Sequence, residues 1–389
     1  MDFAKARFNM VEQQIRPWDV LDFDLLDALQ DLPRELFVSE EQKAYAYSDT
    51  PLPLPNGGTS VLLKTLISNV CANDCKYCPL RENQDIRRCT LSPDETSRVF
   101  LDYYNRREVF GLFLSSGVIG TPDATMERLN ATARILRAKY RFKGYIHLKV
   151  IPGASDAAID EAVSLASAVS LNIETPGAKH LARLSTRKDY LRDIIRPIKR
   201  ISELTAQGSR FSRVKQTTQF IVGPAGESDA EIVKYMWGLY DRLRMDRIYF
   251  SAYQQGVGEP TLSTQPPSQP EQAGTSEGSG DPLMREHRLY QVDFLIRKYG
   301  FTDADIPYDE RGFLSLETDP KESWALRHPE FFPVHVNKAS RWELLRVPGL
   351  GPTTVRRILE LRRRQRLQGL EQIRTSGARL EKARPFLAF

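Results

Sequence analysis

Short apolar runs alternate with longer amphipathic runs through residues 59–254, and this alternation constrains the fold more than any other feature of the sequence. A strand-then-helix order predicts parallel strands in one sheet, because each helix returns the chain to the same edge. Six strand–helix units are fewer than the eight of a closed barrel. The pattern therefore predicts an α/β fold built on an open, partial (β/α)6 barrel. The six strand candidates are Val61–Ser68, Gly111–Ser115, Tyr145–Ile151, Ser170–Glu174, Thr217–Val222 and Arg247–Tyr253.

Composition divides the chain into five predicted segments. They are a helical N-terminal segment (1–52), the barrel (53–254), a flexible linker rich in Gly, Pro, Ser and Gln (255–281), a helical extension of the barrel (282–333) and a basic C-terminal module (334–389). No apolar stretch approaches the roughly 20 residues that span a bilayer, and the N-terminus lacks a signal-peptide core. The sequence therefore predicts a cytoplasmic protein without a membrane partner, whose four cysteines are reduced.

The inner face of the predicted barrel is polar. In the third strand, the period of two places Ile146 and Leu148 on one face and His147 and Lys149 on the other. Glu174 shares the polar face at the end of the fourth strand. A closed structural barrel fills its interior with Val, Ile and Leu. The polar face indicates a site for a polar ligand, the alternative being that these groups only satisfy one another.

Three cysteines, Cys71, Cys75 and Cys78, follow directly after the first strand candidate. Parallel α/β barrels carry their chemistry on the loops at this edge. Thiolates spaced by four and three residues on one loop can bind three irons of a 4Fe–4S cubane, which leaves the fourth iron open. Tyr77, just before the last cysteine, is positioned to shield the cluster or to contact an adenine.

Structural zinc is the alternative for these cysteines, and Cys89 is available as a fourth ligand. However, Cys89 stands alone, without the paired CxxC of a zinc ribbon. The strand–loop–helix context favours the cluster, and Cys89 is interpreted as an ordinary small residue.

The CANDCKYC segment, with its aromatic before the third cysteine, resembles the signature of the radical S-adenosylmethionine (SAM) superfamily. The resemblance implies a TIM-like partial barrel, a 4Fe–4S cluster and SAM, whose reductive cleavage yields a 5′-deoxyadenosyl radical. It also implies an electron donor such as flavodoxin or ferredoxin. The superfamily's Gly-rich cofactor motif matches LFLSSG here, without its usual acidic residue. The implied cofactor contacts are Tyr77, Ser115, Ser116, Gly117, Lys149 and Glu174.

Positive charge is concentrated at the C-terminus. Residues 338–389 contain 13 Lys or Arg and 4 Asp or Glu, which gives +9 in a chain of net charge +5. The turn Val347–Gly351 lies between two amphipathic stretches and resembles a helix–hairpin–helix motif, in which backbone amides bind a phosphate. The alternative is a helical hairpin used for protein contacts. The implied DNA contacts are Gly349, Gly351, Thr353, Thr354, Arg356 and Arg357.

Several longer stretches resemble one branch of the radical SAM superfamily. They include GLFLSSGVIGTPDATMERL, GYIHLKVIPGAS and TTQFIVGPAGESD. The resemblance implies DNA modification or repair, with DNA as a partner more than RNA, and a uracil-DNA-glycosylase-like protein partner. Two alternatives remain open: a radical SAM enzyme for a protein or small molecule whose hairpin serves in docking, and a non-catalytic nucleic-acid-binding protein with a structural metal. The sequence identifies neither the substrate nor a catalytic residue that acts on it.

Residues 2–56 resemble a different family, the protein-L-isoaspartate O-methyltransferases, in their N-terminal helical segment. The Gly-rich cofactor loop and Rossmann sheet of that family do not follow. We interpret the segment as a fused remnant or a helical cap, and expect no methyl transfer to isoaspartate.

Overall fold

The computed structural model describes residues 3–15, 29, 31–33, 61–254, 256, 258–259, 262, 281–373 and 378–389. The chain divides into two compact units, one of Pro53–Glu286 and one that joins Met1–Leu52 to His287–Phe389. Most of the predicted linker (255–281) and of the predicted N-terminal segment (1–52) lies outside the described residues. Among the helices described, none is both long and apolar enough to cross a membrane.

The described N-terminal residues are helical. Helix α1 (Phe3–Asn9) continues as a π-helical segment through Met10–Ile15. Met10 and Val11 are buried, with Phe3 and Ile15 packed against them. These contacts follow the helical spacing of apolar residues in the sequence.

Six parallel strands form one sheet, in the same order as in the chain. The pairing runs from Leu62 opposite Gly111 at one side to Thr217 opposite Arg247 at the other. All six carboxyl ends therefore lie at one edge, and the predicted partial barrel is confirmed. The strands are β1 (Leu62–Leu66), β2 (Gly111–Ser115), β3 (Tyr145–Lys149), β4 (Ala168–Ser170), β5 (Lys215–Val222) and β6 (Arg247–Ala252).

Helices connect the strands. They are α2 (Pro93–Asn105), α3 (Pro122–Arg134), α4 (Asp156–Leu165), α5 (Ala178–Leu184), α6 (Arg196–Thr205) and α7 (Asp229–Leu243). Ser or Thr caps α2, α3, α4 and α7. At α2, the Ser92 hydroxyl accepts the Glu95 amide at 3.2 Å and the Glu95 carboxylate accepts the Ser92 amide at 2.8 Å. Such boxes satisfy first-turn amides that the helix itself leaves unpaired.

The two faces of the sheet differ as predicted. Leu112, Leu114, Ile146 and Leu148 are fully buried. In β3 the alternate positions carry polar groups, including His147, whose ring nitrogen lies 2.8 Å from the Ser170 hydroxyl. The helices thus cover an aliphatic face, and a polar face lines the open side of the barrel.

The fourth strand is shorter and earlier than predicted. The prediction placed it at Ser170–Glu174, whereas the ladder covers Ala168–Ser170 and resumes only as a bridge between Glu174 and Phe220. In the interval, the Thr218 hydroxyl accepts the Ile173 amide at 2.9 Å and donates to the Leu171 carbonyl at 2.8 Å. A side chain therefore replaces two ladder bonds, which strand propensity does not reveal.

The remaining elements are mostly helical. They are α8 (Pro282–Tyr299), α9 (Pro320–Arg327), α10 (Arg341–Arg346), α11 (Pro352–Leu361) and α12 (Ala378–Ala383), with a parallel pair β7 (Val334–His335) and β8 (Leu387–Ala388). The Trp324 ring packs against Phe301, Phe331 and Phe332 at centroid distances of 5.7, 5.2 and 6.2 Å. An aromatic core thus connects α9 to the segments on either side of it.

We expect Thr218→Val to lower the free energy of unfolding by about 1–3 kcal/mol, because two buried backbone groups lose their partner while the side-chain volume is kept. Urea denaturation of the cluster-free protein measures this loss. Thr218→Ser is the matched control, since it retains the hydroxyl. Equal stability of the valine variant and the wild type would show that the hydroxyl does not replace the ladder.

Candidate functional site

The loop after β1 holds the three predicted cluster cysteines. Cys75 is buried, Cys71 and Cys78 are half-buried, and all are free thiols. The Cys78 amide donates to the Cys75 carbonyl at 2.9 Å, and the Leu80 amide donates to Cys78 Sγ at 3.4 Å. Burial raises the pKa of the Cys78 thiol to about 11; the Leu80 amide lowers it, and Cys75 and Cys71 raise it further. The loop therefore gathers three thiols in a partly desolvated place.

The donor set fits an iron–sulfur cluster better than zinc. In the described part of the chain, no three His, Cys, Asp or Glu side chains converge as one metal ion requires. A 4Fe–4S cubane does not require three ligands to converge on one metal ion, because each thiolate binds a different iron. Cys89, the fourth ligand of the zinc alternative, is exposed, and its backbone amide donates to the Asn69 side chain at 2.6 Å.

Asp74, inside the cysteine motif, binds the cysteine loop to the residues that follow α5. Its carboxylate accepts hydrogen bonds from the Ser185 hydroxyl at 2.5 Å and from the Thr186 amide and hydroxyl at 2.9 and 2.6 Å. Burial alone would raise the pKa of Asp74, but these bonds lower it to about 2. Arg187 extends the clamp, because its guanidinium contacts the Ala72 carbonyl and the Glu82 carboxylate.

Arg88 closes the loop from the other end. Its Nη1 donates to the carbonyls of Asn69 and Leu80 at 2.5 and 2.9 Å, and its Nη2 to those of Arg81 and Gln84 at 2.7 and 3.0 Å. One guanidinium thus satisfies four carbonyls of an irregular segment. These bonds hold the residues on both sides of the three cysteines together.

The loop after β2 lies directly against the cysteine loop. The Gly117 amide donates to the Ser68 carbonyl at 2.8 Å, and a Cβ at position 117 would lie 2.2 Å from the Val70 carbonyl oxygen. Only glycine permits this approach. Beside it, the Ser116 hydroxyl is buried and has no hydrogen-bond partner among the described residues, while Ser115 ends β2 half-buried. The predicted serine–glycine motif therefore does border the cysteines.

Opposite charges meet beside Cys75. Glu174 is buried in a left-handed conformation (φ 64°), which costs a non-glycine residue about 1 kcal/mol or more. Burial and the nearby Glu174 carboxylate raise the pKa of the Tyr77 hydroxyl. Burial lowers the pKa of the Lys188 ammonium, but the nearby Cys75 and Glu174 outweigh that and raise it. Glu174 Oε2 has no hydrogen-bond partner among the residues described.

Lys149 and His147 continue the polar face below this group. The Lys149 ammonium contacts the Asn172 amide oxygen. Burial lowers the pKa of Lys149 to about 8. The Glu174 carboxylate raises this pKa, whereas the Lys188 ammonium lowers it further. Burial, together with Lys149 and Lys64, lowers the pKa of His147 to about 3. His147 is therefore neutral at pH 7, and of these two residues Lys149 holds the positive charge.

The six predicted DNA contacts lie in the C-terminal unit, with Gly349 and Gly351 on the turn between α10 and α11 and the other four in α11. Gly349 has φ 83°, which favours glycine, and Gly351 precedes the first turn of α11. Arg356 is exposed, and Gly349, Thr353 and Arg357 are half-buried. Gly351 and Thr354 are buried, so the Thr354 side chain is not on the surface.

Residues 65–236 match the family model of the radical SAM superfamily. The match begins in β1 and ends in α7, so it includes the cysteine loop and five of the six strands. These residues therefore match a radical SAM domain and support an enzyme. Proteins of that superfamily use a 4Fe–4S cluster and SAM, and Cys71, Cys75 and Cys78 fit its CxxxCxxC motif.

Curated proteins similar to this chain include protein-L-isoaspartate O-methyltransferases. The protein from Herpetosiphon aurantiacus is 28% identical over 174 residues, which is 45% of this chain and 68% of the relative. The protein from Geobacter metallireducens is 50% identical over 54 residues, 14% of this chain and 25% of the relative. The chain thus spans only a quarter of the second relative's length.

Solved structures give looser likenesses. The FeFe-hydrogenase maturase HydG from Carboxydothermus hydrogenoformans is 12% identical, with 75% of this chain and 68% of that one covered and a TM-score of 0.45. Methylornithine synthase (PylB) is 14% identical, with 66% and 69% covered and a TM-score of 0.40. The likeness to the radical SAM superfamily rests on the matched residues 65–236 and the cysteine motif.

Sequence reasoning missed Lys188 and Asp74. Lys188 follows α5 and has no local motif; only its place on the loop after the fourth strand, at the same edge as the cysteines, could have indicated it. Asp74 lies inside the cysteine motif, but its partners Ser185 and Thr186 are more than 100 residues away along the chain.

We expect Asp74→Asn to loosen the cluster, because the loss of the carboxylate charge weakens all three bonds to Ser185 and Thr186. Loss of groups that orient metal ligands typically costs 10–100-fold in metal affinity. Loss of cluster absorbance in the presence of a chelator should therefore be about tenfold faster. Asp85→Asn, on an exposed part of the same loop, should match the wild type. Equal rates for both variants would refute a clamp at Asp74.

Proposed function

We propose that this radical SAM enzyme modifies or repairs DNA, with the radical chemistry performed in the partial barrel and the strand bound by the C-terminal hairpin. The observation that carries the proposal is the combination, in one chain, of a cysteine loop beside orphaned buried acceptors and a separate basic hairpin. RNA is the other nucleic acid that such a hairpin accommodates. A cytoplasmic location fits the need for reduced cysteines.

The residues on the carboxyl edge suit the two cofactors. Cys71, Cys75 and Cys78 would bind three irons, and the open iron would take the methionine part of SAM. When bound, the two cofactors supply the 5′-deoxyadenosyl radical, with an electron from a donor such as flavodoxin or ferredoxin. We assign the cluster to these three cysteines because Asp74 and Gly117 hold their loop at the carboxyl edge of the sheet.

Buried groups without a partner mark where the polar end of SAM would bind. Ser116 Oγ and Glu174 Oε2 are both buried acceptors without a hydrogen-bond partner in the part of the chain described, and such atoms are rare unless a ligand pairs them. We assign them, with Ser115 and the Gly117 backbone, to the cofactor's amino group. Lys149 and Lys188 would bind its carboxylate, and Tyr77 would cover the cluster beside Glu174.

Phosphate binding is the role proposed for the hairpin. Gly349 and Gly351 let the backbone come close to a phosphate, Thr353 can add a hydroxyl, and Arg356 and Arg357 add charge. The buried Thr354 would act only through its amide. Contacts of this kind read the backbone, so binding independent of sequence is expected. A uracil-DNA-glycosylase-like protein is the partner we propose for this branch.

Replacing any one of the three cluster cysteines by alanine should abolish cluster assembly, because each binds a separate iron. Anaerobic reconstitution of the wild type should give close to four irons and four sulfides per chain, and dithionite-reduced protein should cleave SAM. Cys89→Ala is the matched control and should retain both. Stoichiometric zinc with no uptake of iron would overturn the assignment.

DNA binding by the hairpin should be weak and salt-dependent. The logarithm of affinity should fall linearly with the logarithm of salt concentration, with a slope of about 0.9 per phosphate contact. Replacing Arg356 and Arg357 by alanine should lower both affinity and slope, equally for unrelated sequences. Replacing the exposed barrel residues Arg98 and Lys143 removes the same charge and should change neither. The opposite ranking of the two double variants would exclude the hairpin.

The substrate class is tested by incubating the reconstituted enzyme with SAM, a reductant and either DNA or RNA. Mass spectrometry of the digested nucleosides should show a mass change that depends on SAM and on the three cysteines. A mass change in RNA alone would show that RNA, and not DNA, is the substrate. SAM cleavage without change in either polymer would favour a protein or small-molecule substrate.

A further inference from the structure

A lysine outside the predicted module reaches into the hairpin. Lys321, in the first turn of α9, is buried, and its Nζ donates to the carbonyl of Leu350 at 2.5 Å. Leu350 lies between Gly349 and Gly351 in the turn. The ammonium also lies 4.7 Å from the centre of the Tyr299 ring. A fully desolvated cation is costly, and packing alone would favour an apolar residue of the same length.

The contact fixes the orientation of one peptide group. The Leu350–Gly351 peptide is trans, so its N–H points away from the carbonyl that Lys321 binds. Gly351 is buried, yet its amide donates to no acceptor in the part of the chain that the structure describes. Buried amides are nearly always paired, which makes this donor available for a ligand. Lys321 therefore holds the carbonyl on one side while the amide stays free on the other.

The charge of Lys321 is balanced by a network below the turn. Asp319, the cap of α9, lies 2.8 Å from Lys382 of α12, which also lies 2.7 Å from Glu322. Burial lowers the pKa of Lys321 to about 7. The negative charge of Asp319 raises this pKa, and the positive charge of Lys382 lowers it further. Tyr299 contributes its ring face. Burial thus brings the pKa of Lys321 close to neutral pH.

We propose that Lys321 is a positioning residue of the hairpin: it fixes the Leu350–Gly351 peptide for phosphate binding and places a buried positive charge behind that site. This inference rests on the proposed DNA binding and adds a regulatory property to it. An anion at the turn favours the protonated lysine, so by reciprocity DNA raises its pKa. Affinity for DNA should therefore fall as pH rises through about 7.

The test uses the full-length protein and a duplex of arbitrary sequence. Between pH 6 and pH 8.5, where DNA phosphodiesters do not titrate, wild-type affinity should fall about fivefold or more. Lys321→Met keeps the length and removes the charge and the donor. It should bind about fivefold more weakly at pH 6 and lose the pH dependence that the wild type shows between pH 6 and pH 8.5. Arg311→Met, which removes one exposed charge elsewhere in the same unit, should leave the pH profile unchanged.

Hydrogen exchange separates this inference from the proposed function. In Lys321→Met, amides at residues 350–355 should exchange roughly tenfold faster than in the wild type, with the rest of the unit unchanged. Faster exchange without DNA binding by the wild type would retain the positioning role and refute the DNA proposal. Unchanged exchange, or a pH profile that persists in Lys321→Met, would overturn the inference. If that variant fails to fold, the pKa of Lys321 in the wild type is measured by NMR with and without DNA. The absence of an upward shift on DNA binding would contradict the inference.

Discussion

The parallel ladder of six strands is the constraint on which the rest of the radical SAM domain depends. Because consecutive strands are neighbours and all run the same way, their carboxyl ends share one edge. The loops after β1, β2 and β4 therefore lie side by side, although they are far apart in the sequence. This arrangement lets Gly117 approach Val70 and lets Asp74 bind Ser185. The cysteine loop, an irregular segment, takes its shape from these neighbours.

The charged side chains at the carboxyl edge of the sheet suit the cluster and SAM, which the polypeptide itself does not supply. Lys188 and Lys149 both lie near the buried carboxylate of Glu174, and Lys188 also lies near the thiol of Cys75. Charged side chains are costly to bury unless opposite charges or hydrogen bonds compensate them. Thiolates bound to iron and the two ends of an amino acid would provide that compensation. The strained backbone at Glu174 points the same way, since strain of this kind persists mainly at functional sites.

The sequence predicted the parts of the structure that depend on short patterns. Alternation of strands and helices gave the sheet, period two gave the polar face of β3, and the cysteine spacing gave the loop. It did not predict contacts set by tertiary structure. Thr218 shortened the fourth strand through its hydroxyl, Asp74 and Lys188 needed partners from distant loops, and Thr354 is turned inward. Lys321 donates to a carbonyl in a turn 29 residues later, a contact that no local motif indicates.

The central claim is that three cysteines hold a 4Fe–4S cluster whose fourth iron binds SAM. Electron–nuclear double resonance on the reduced, reconstituted enzyme tests it most directly, with SAM labelled by ¹⁵N in the amino group and ¹⁷O in the carboxylate. The account predicts hyperfine coupling from both labels, which shows that the amino acid end of SAM chelates the cluster. A reduced cluster that shows no coupling to either label in the presence of saturating SAM would contradict it.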